Sequence, residues 1–209
     1  MKQINATHYD FQKYMHMSRW SCYYVQIKKI LSLKPKTVLE IGPGDGLLGW
    51  YMEKNGIHYT SADHADDISS NIKVNLGFEP LPFPDNSFDV VCAFQVLEHI
   101  PFDKVPYALS EVARVSAKHV LFDIPQFGLH IQFLFKFPLI RRIAFHTLVS
   151  WRKEHEFDGF HYWEVGKKNY SPARVRKLLL EYFSLMEEFS IIENPKERFY
   201  LLKKKNIII

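Results

Sequence analysis

Three glycines spaced two apart, Gly42, Gly44 and Gly46, follow directly on the aliphatic run Val38-Leu39-Glu40-Ile41. Glycine at such a junction permits a positive φ and lets a ligand come close to the backbone. Leu47 to Lys54 then carries apolar residues at helical spacing, so the loop opens a helix at the end where unpaired N–H groups point outward. Dinucleotide sites use G-x-G-x-x-G at this place; here the third glycine comes one residue early and Leu47 holds the dinucleotide position, which disfavours a nicotinamide-dependent oxidoreductase. Two acids flank the loop. Glu40 stands two residues before Gly42, and Asp63, 21 residues after Gly42, ends a second predicted strand. A carboxylate at that strand tip can accept hydrogen bonds from two adjacent ribose hydroxyls, the alternative being a cap on the following turn. His99 is the third candidate: a neutral imidazole could take a proton from a hydroxyl or amine, or it could simply order its loop.

These groups need a scaffold. Alternating and continuous apolar runs predict strands over 38–41, 57–63, 72–76, 88–94 and 118–125, with helices over 47–54 and 105–116 between them. Pro80, Pro82 and Pro84 forbid regular structure before Ser87, and Phe88 to Phe94, broken only by Asp89, reads as a central parallel strand buried on both faces. Ser171 and Pro172 form an N-cap and first-turn pair that starts a helix, and two strands follow over 184–192 and 198–203. Ahead of the first strand, 18–31 has helical periodicity, with Tyr23, Ile27, Ile30 and Leu31 on one face.

The string Glu40-Ile41-Gly42-Pro43-Gly44-Asp45-Gly46 resembles the first motif of the class I S-adenosylmethionine-dependent methyltransferases. Leu81-Pro82-Phe83-Pro84-Asp85-Asn86-Ser87-Phe88-Asp89-Val90-Val91 followed by Val96-Leu97-Glu98-His99 resembles their type 11 subgroup, and the likeness runs from about Thr37 to Pro125. It implies an α/β fold: a Rossmann-like, doubly wound, seven-stranded, mostly parallel sheet with helices on both faces. It also implies S-adenosyl-L-methionine as cofactor, with Glu40 facing its methionine end beside Gly42, Gly44 and Gly46. Asp63 would take the ribose, the loop up to Leu81 would line the adenine pocket, and the Phe94 and Gln95 backbone would lie beside the methionine part. Glu98 and His99 would face the acceptor. The family often has an acid where Gly77 stands, so backbone groups or Glu79 would have to serve the adenine amino group. A few quinone-pathway members hold a divalent metal with E-x-x-E-H, but Gln95 replaces the first acid and no metal is expected.

Two units follow from this: 1–35, a helical segment over the cofactor site with Tyr9, Tyr14 and Trp20 as candidate lid residues, and 36–209, the methyltransferase domain with a substrate-side insertion at 126–170. Within the insertion, 127–146 mixes bulky apolar residues with Lys136, Arg141 and Arg142 and has no acid. That mixture suits a peripheral membrane contact or a lipid-linked substrate, and equally a lid. His155, His161 and Glu164 match no zinc spacing, and the aromatic run around them reads as a substrate wall. The run Trp163 to Lys168 is similar to methyltransferases found near cell-surface glycan genes. The acceptor expected is a small molecule or glycan with an oxygen or nitrogen nucleophile; the rival is a noncatalytic cofactor-binding sensor or scaffold.

Composition excludes more than it selects. The 209 residues suffice for a core without staples, two cysteines make neither a disulfide framework nor a zinc site, and a formal charge of +4 is ordinary, so no nucleic-acid partner is expected. No leader pattern and no run of 18 apolar residues is seen, so a cytoplasmic protein is expected.

Overall fold

The computed structural model describes residues 9–66, 68–135, 143–149, 151 and 153–205. Lys136, Arg141 and Arg142 lie outside the described residues. Helix α1 (Phe11–Tyr14) and helix α2 (Met17–Ser32) precede the sheet. Strand β1 (Thr37–Ile41), helix α3 (Leu47–Lys54), β2 (His58–Asp63), β3 (Ile72–Lys73) and β4 (Phe88–Phe94) follow, then a single 3-10 turn at Leu97–His99. The chain continues through α4 (Val105–Val115), β5 (Ser116–Pro125), a ribbon of β6 (Leu129–Phe135) and β7 (Ile143–Val149), α5 (Pro172–Tyr182), β8 (Phe183–Ile191) and β9 (Asn194–Lys204).

The main sheet has seven strands in the order β3-β2-β1-β4-β5-β9-β8, parallel through β5 and antiparallel at β9. Strand order reverses between β1 and β4, which opens a crevice beyond their carboxyl ends. Alternation along the strands divides the core. Leu39, Ile41, Val91, Ala93, Val120 and Phe122 face α4 and α5, whereas Val38, Val90, Cys92 and Leu121 face Ile30 of α2 and Leu48 and Met52 of α3. Helices therefore cover both faces, as the sequence predicts. In α4 the spacing Val105, Ala108, Leu109, Val112 and Val115 is one helical stripe, and all five are buried.

Several boundaries shift for identifiable reasons. The third strand is two residues long, because Val74 onward leaves the ladder for the cavity wall and Leu76 makes only an isolated bridge to Glu79. The lone acid of β4 is not a break: the Asp89 carboxylate accepts from the Lys36 and Thr37 N–H groups and pairs with Lys118 at 2.8 Å, tying β4 to the start of β1. The proline-rich approach to β4 is held by α4, where Arg114 donates to the Leu81 and Phe83 carbonyls and Glu111 accepts from the Leu81 N–H. The Ser171 side chain accepts from the Arg174 N–H, the expected N-cap.

Trp163, in the middle of the insertion, is 1 % exposed, and its indole N–H is shared between the Leu97 and Ile100 carbonyls at 3.1 and 3.0 Å. It fixes the loop that carries Glu98 and His99. Trp163→Ala should destabilise the fold by about 3–5 kcal/mol, the usual cost of emptying a large aromatic site. A chemical-denaturation midpoint unchanged from the parent would show that the loop does not depend on this anchor.

Candidate active site

A cavity of about 560 Å³ lies over the reversal point, walled by α2 on one side and by the tips of β1, β2, β4 and β5 on the other. That volume is within the range of small-molecule sites, roughly 300–1,000 Å³. Of the residues singled out by sequence, Glu40, Gly42, Gly44, Asp63, Phe94, Gln95 and His99 line it together. Gly46 and Leu81 do not. Gly46 caps α3 in the left-handed region at φ 76°, and Leu81 is a core side chain whose backbone is clamped by Glu111 and Arg114, so it anchors the loop while Val74, Asn75 and Leu76 reach the cavity.

At Gly42 the chain turns with φ 74°, and a Cβ there would come within 2.6 Å of the Val96 Cγ2. Only glycine fits so close to the post-β4 loop. The ring of Tyr9 lies against Gly44, and Tyr23 donates to Asp45 at 2.9 Å, so the N-terminal segment packs directly on the glycine turn. Tyr9 and Tyr14 line the cavity; Trp20 is exposed and off it. Glu40 is buried, accepts a 2.5 Å hydrogen bond from the Tyr59 hydroxyl, and is pushed up to about 8 by burial.

Asp63 divides its work. Its Oδ1 accepts from the Ala65 N–H at 2.8 Å, the turn cap weighed as the alternative, while Oδ2 has no partner among the described residues and the side chain borders the cavity. Both readings of the sequence are thus compatible with one carboxylate. Asp63→Ala should weaken binding of the nucleoside part of a ligand by about 1–3 kcal/mol, the range for a hydrogen bond to a charged group. Unchanged affinity by calorimetry would remove Asp63 from that role.

Gly77 has a structural cause. With φ 91° and a notional Cβ 2.8 Å from the Ile100 Cγ2, the position rejects an acidic side chain. Glu79 accepts from the Asn75 N–H at 2.8 Å and is exposed, so it steadies Asn75, which itself lines the cavity.

On the far side stand groups that motif reading missed. Arg19, Cys22, Tyr23 and Gln26 of α2 reach the cavity, opposite Asp123 of β5 and Glu197 of β9. Gln26 Nε2 donates to Asp123 Oδ2 at 3.3 Å, leaving Gln26 Oε1 and Asp123 Oδ1 buried and without a partner among the described residues. Burial, reinforced by Glu197, pushes the Asp123 carboxyl well above its ordinary range. Gln95, at φ 56°, donates its side-chain amide to Glu197 and its backbone N–H to the Asp123 carbonyl. The only signal for this cluster in the sequence is that Asp123 ends the fifth predicted strand next to the fourth; α2 and β9 arrive through tertiary packing.

His99 Nδ1 lies 3.0 Å from the Phe160 carbonyl. A carbonyl only accepts, so Nδ1 carries the proton and Nε2 keeps its lone pair. Burial holds the imidazole below its usual pKa, so it is neutral at pH 7. Glu98 beside it is fully buried, both carboxyl oxygens without a partner among the described residues, and one donor atom each of Glu98, His99 and His161 lie within 4.8 Å of one another. Elsewhere in the insertion, His161 pairs with Asp158 at 2.8 Å and Glu164 lies 3.5 Å from Lys167, while His155 bonds the His161 carbonyl at 2.8 Å, so the three do not converge on one point.

The sheet order, the reversal-point cavity and the glycine turn define the class: a Rossmann-like, doubly wound α/β fold. Residues 39–122 match the family model described as a methyltransferase domain. A ubiquinone biosynthesis O-methyltransferase of Hydrogenovibrio crunogenus is 27 % identical over 88 residues, 36 % of this chain and 36 % of that protein. The match thus spans about a third of the curated relative. Among solved structures, the PH0226 protein of Pyrococcus horikoshii OT3 superposes with a TM-score of 0.60 at 15 % identity, covering 97 % of this chain and 100 % of that one. Magnesium protoporphyrin IX methyltransferase (ChlM) of Synechocystis PCC 6803, solved with bound SAH, gives 0.60 at 13 % identity over 98 % and 90 %. At such identities these superpositions speak for the fold.

Proposed function

We propose that this chain is an S-adenosylmethionine-dependent methyltransferase acting on an oxygen or nitrogen nucleophile of a small-molecule or glycan acceptor. One observation carries the reading: a single cavity gathers Glu40, Gly42, Gly44, Asp63, Phe94, Gln95 and His99. The groups present fit the cofactor. The glycine turn leaves room for a close approach, Asp63 Oδ2 is open to a ribose, and Ile68, Val74, Leu76 and Ile100 offer an apolar wall to a purine beside Asn75. Arg19 supplies a cation for a carboxylate, and the orphaned oxygens of Gln26 and Asp123 accept from an ammonium. We include Gly46 as the cap that aims the α3 amides and Leu81 as the loop anchor.

When bound, the cofactor supplies a methyl group on a sulfonium. Tyr9 and Tyr14 border the cavity at the N-terminal segment, and Trp163 holds the loop that carries His99. His99 Nε2 takes the proton of an acceptor hydroxyl or amine, with Nδ1–H staying on Phe160 to orient the ring. Positioning supplies much of the acceleration in such a transfer. The insertion at 126–170, including a peripheral membrane contact through 127–146, belongs to the acceptor side of this reading.

Incubation with methyl-labelled cofactor and fractionated small-molecule and glycan pools tests it. The expected result is release of S-adenosylhomocysteine with label in one acceptor fraction. Saturable cofactor binding without turnover in any pool would instead return the chain to the sensor or scaffold reading.

A further inference from the structure

The ribbon leaves a surface that the cavity does not use. In its antiparallel register Leu129 faces Val149, Ile131 faces Thr147 and Phe133 faces Phe145, and Phe135 continues the same face because side chains alternate along a strand. One side of the ribbon is therefore apolar except for Thr147. It is also open: Leu129, Phe133 and Phe145 are 55 %, 52 % and 59 % exposed, and Trp151 and Phe157 are exposed as well. On the reverse side Gln132 donates to the Ile192 carbonyl at 2.6 Å, while Leu134 there is 55 % exposed. None of the described ribbon residues lines the cavity, which argues against a lid in this arrangement.

An exposed apolar face of this extent marks an interaction site. Charge selects its occupant. Between Phe127 and Lys153 the sequence has Lys136, Arg141, Arg142, Arg152 and Lys153 and no aspartate or glutamate. A second copy of the ribbon would bring like charge against like. An anionic lipid surface complements both properties: it takes the apolar side chains into its acyl boundary and attracts the basic residues of the segment.

We propose that the β6–β7 ribbon docks the protein on an anionic membrane surface, with the face formed by Leu129, Ile131, Phe133, Phe135 and Phe145 inserted among the lipids. The docking deepens the acceptor-side reading, because it places the cavity of a membrane-bound protein beside amphiphilic acceptors, yet it is measured without turnover and stands or falls separately.

Flotation with vesicles is the test. The protein should float with phosphatidylcholine vesicles containing phosphatidylglycerol, remain in solution with phosphatidylcholine alone, and release at high salt. Phe133→Ser with Phe145→Ser should lower the vesicle affinity about tenfold or more, since the two rings are among the largest exposed apolar side chains of the face and sit opposite one another. Both side chains point outward, so the circular dichroism spectrum and cofactor affinity should be retained. Wild-type protein that stays off the anionic vesicles would overturn the proposal, as would equal binding by the double variant. A wild-type dimer in sedimentation equilibrium that the double variant abolishes would also overturn it, by putting a second copy on the face.

Discussion

Gly42→Ala is expected to weaken S-adenosylhomocysteine binding by about 2–4 kcal/mol. A left-handed backbone with a Cβ costs roughly 1–2 kcal/mol and the overpacking a similar amount, so the free variant relaxes the turn to escape them and must restore the strained geometry to bind, which carries the cost into affinity. Both contributions are visible in the structure, as φ 74° and a notional Cβ 2.6 Å from the Val96 Cγ2. The Gly42 N–H also bonds the Ala62 carbonyl at 2.9 Å, so any shift that relieves the clash disturbs the link between β1 and β2 from which Asp63 projects. Adding Val96→Ala should recover the packing part and leave the backbone part, a non-additivity that a double-mutant cycle in calorimetry would resolve. Wild-type affinity in Gly42→Ala would mean that the ligand does not rest on this turn.

His99→Asn is expected to lower kcat by about 10²–10⁴-fold with cofactor affinity unchanged, the span typical of removing a general base. Asparagine is chosen because its side-chain amide can keep donating to the Phe160 carbonyl, so the loop is preserved while the Nε2 lone pair is lost. The pH dependence has a definite sign. The base works only when neutral, and burial lowers the His99 pKa below the ordinary histidine value. Wild-type rate should therefore hold across neutral pH and fall on the acid side, at a pH below about 6.5. His99→Asn should lack that acid limb. Full activity in the variant would leave His99 as a loop-ordering residue.

How far the sequence reached depended on the kind of signal. Elements with a strong local period were legible to within a residue or two: Leu47–Lys54 and Phe88–Phe94 are observed with the predicted bounds. The strand predicted over 72–76 failed after Lys73, because its apolar residues Val74 and Leu76 serve a cavity wall and a core instead of a ladder. The glycine turn, Asp63 and the Phe94–Gln95 tip were found because they belong to contiguous motifs whose spacing follows from strand and turn geometry. Gln26, Asp123 and Glu197 were not, since they come from three elements far apart in the chain and meet only when α2 closes over the sheet. Leu81 illustrates the reverse error of scale: the motif located the loop, but the residue within it that touches the cavity is set by the Glu111 and Arg114 clamp. For the ribbon the sequence showed only a mixture of bulky apolar and basic residues; its two strands and outward apolar face became legible only from the β6–β7 register.

The central claim is that the crevice between the tips of β1, β2 and β4 holds S-adenosylmethionine. Isothermal titration of the full chain with that compound tests it most directly. The account predicts one saturable site per chain whose affinity drops in both Gly42→Ala and Asp63→Ala; no heat of binding in the wild type, or binding indifferent to both substitutions, would contradict it.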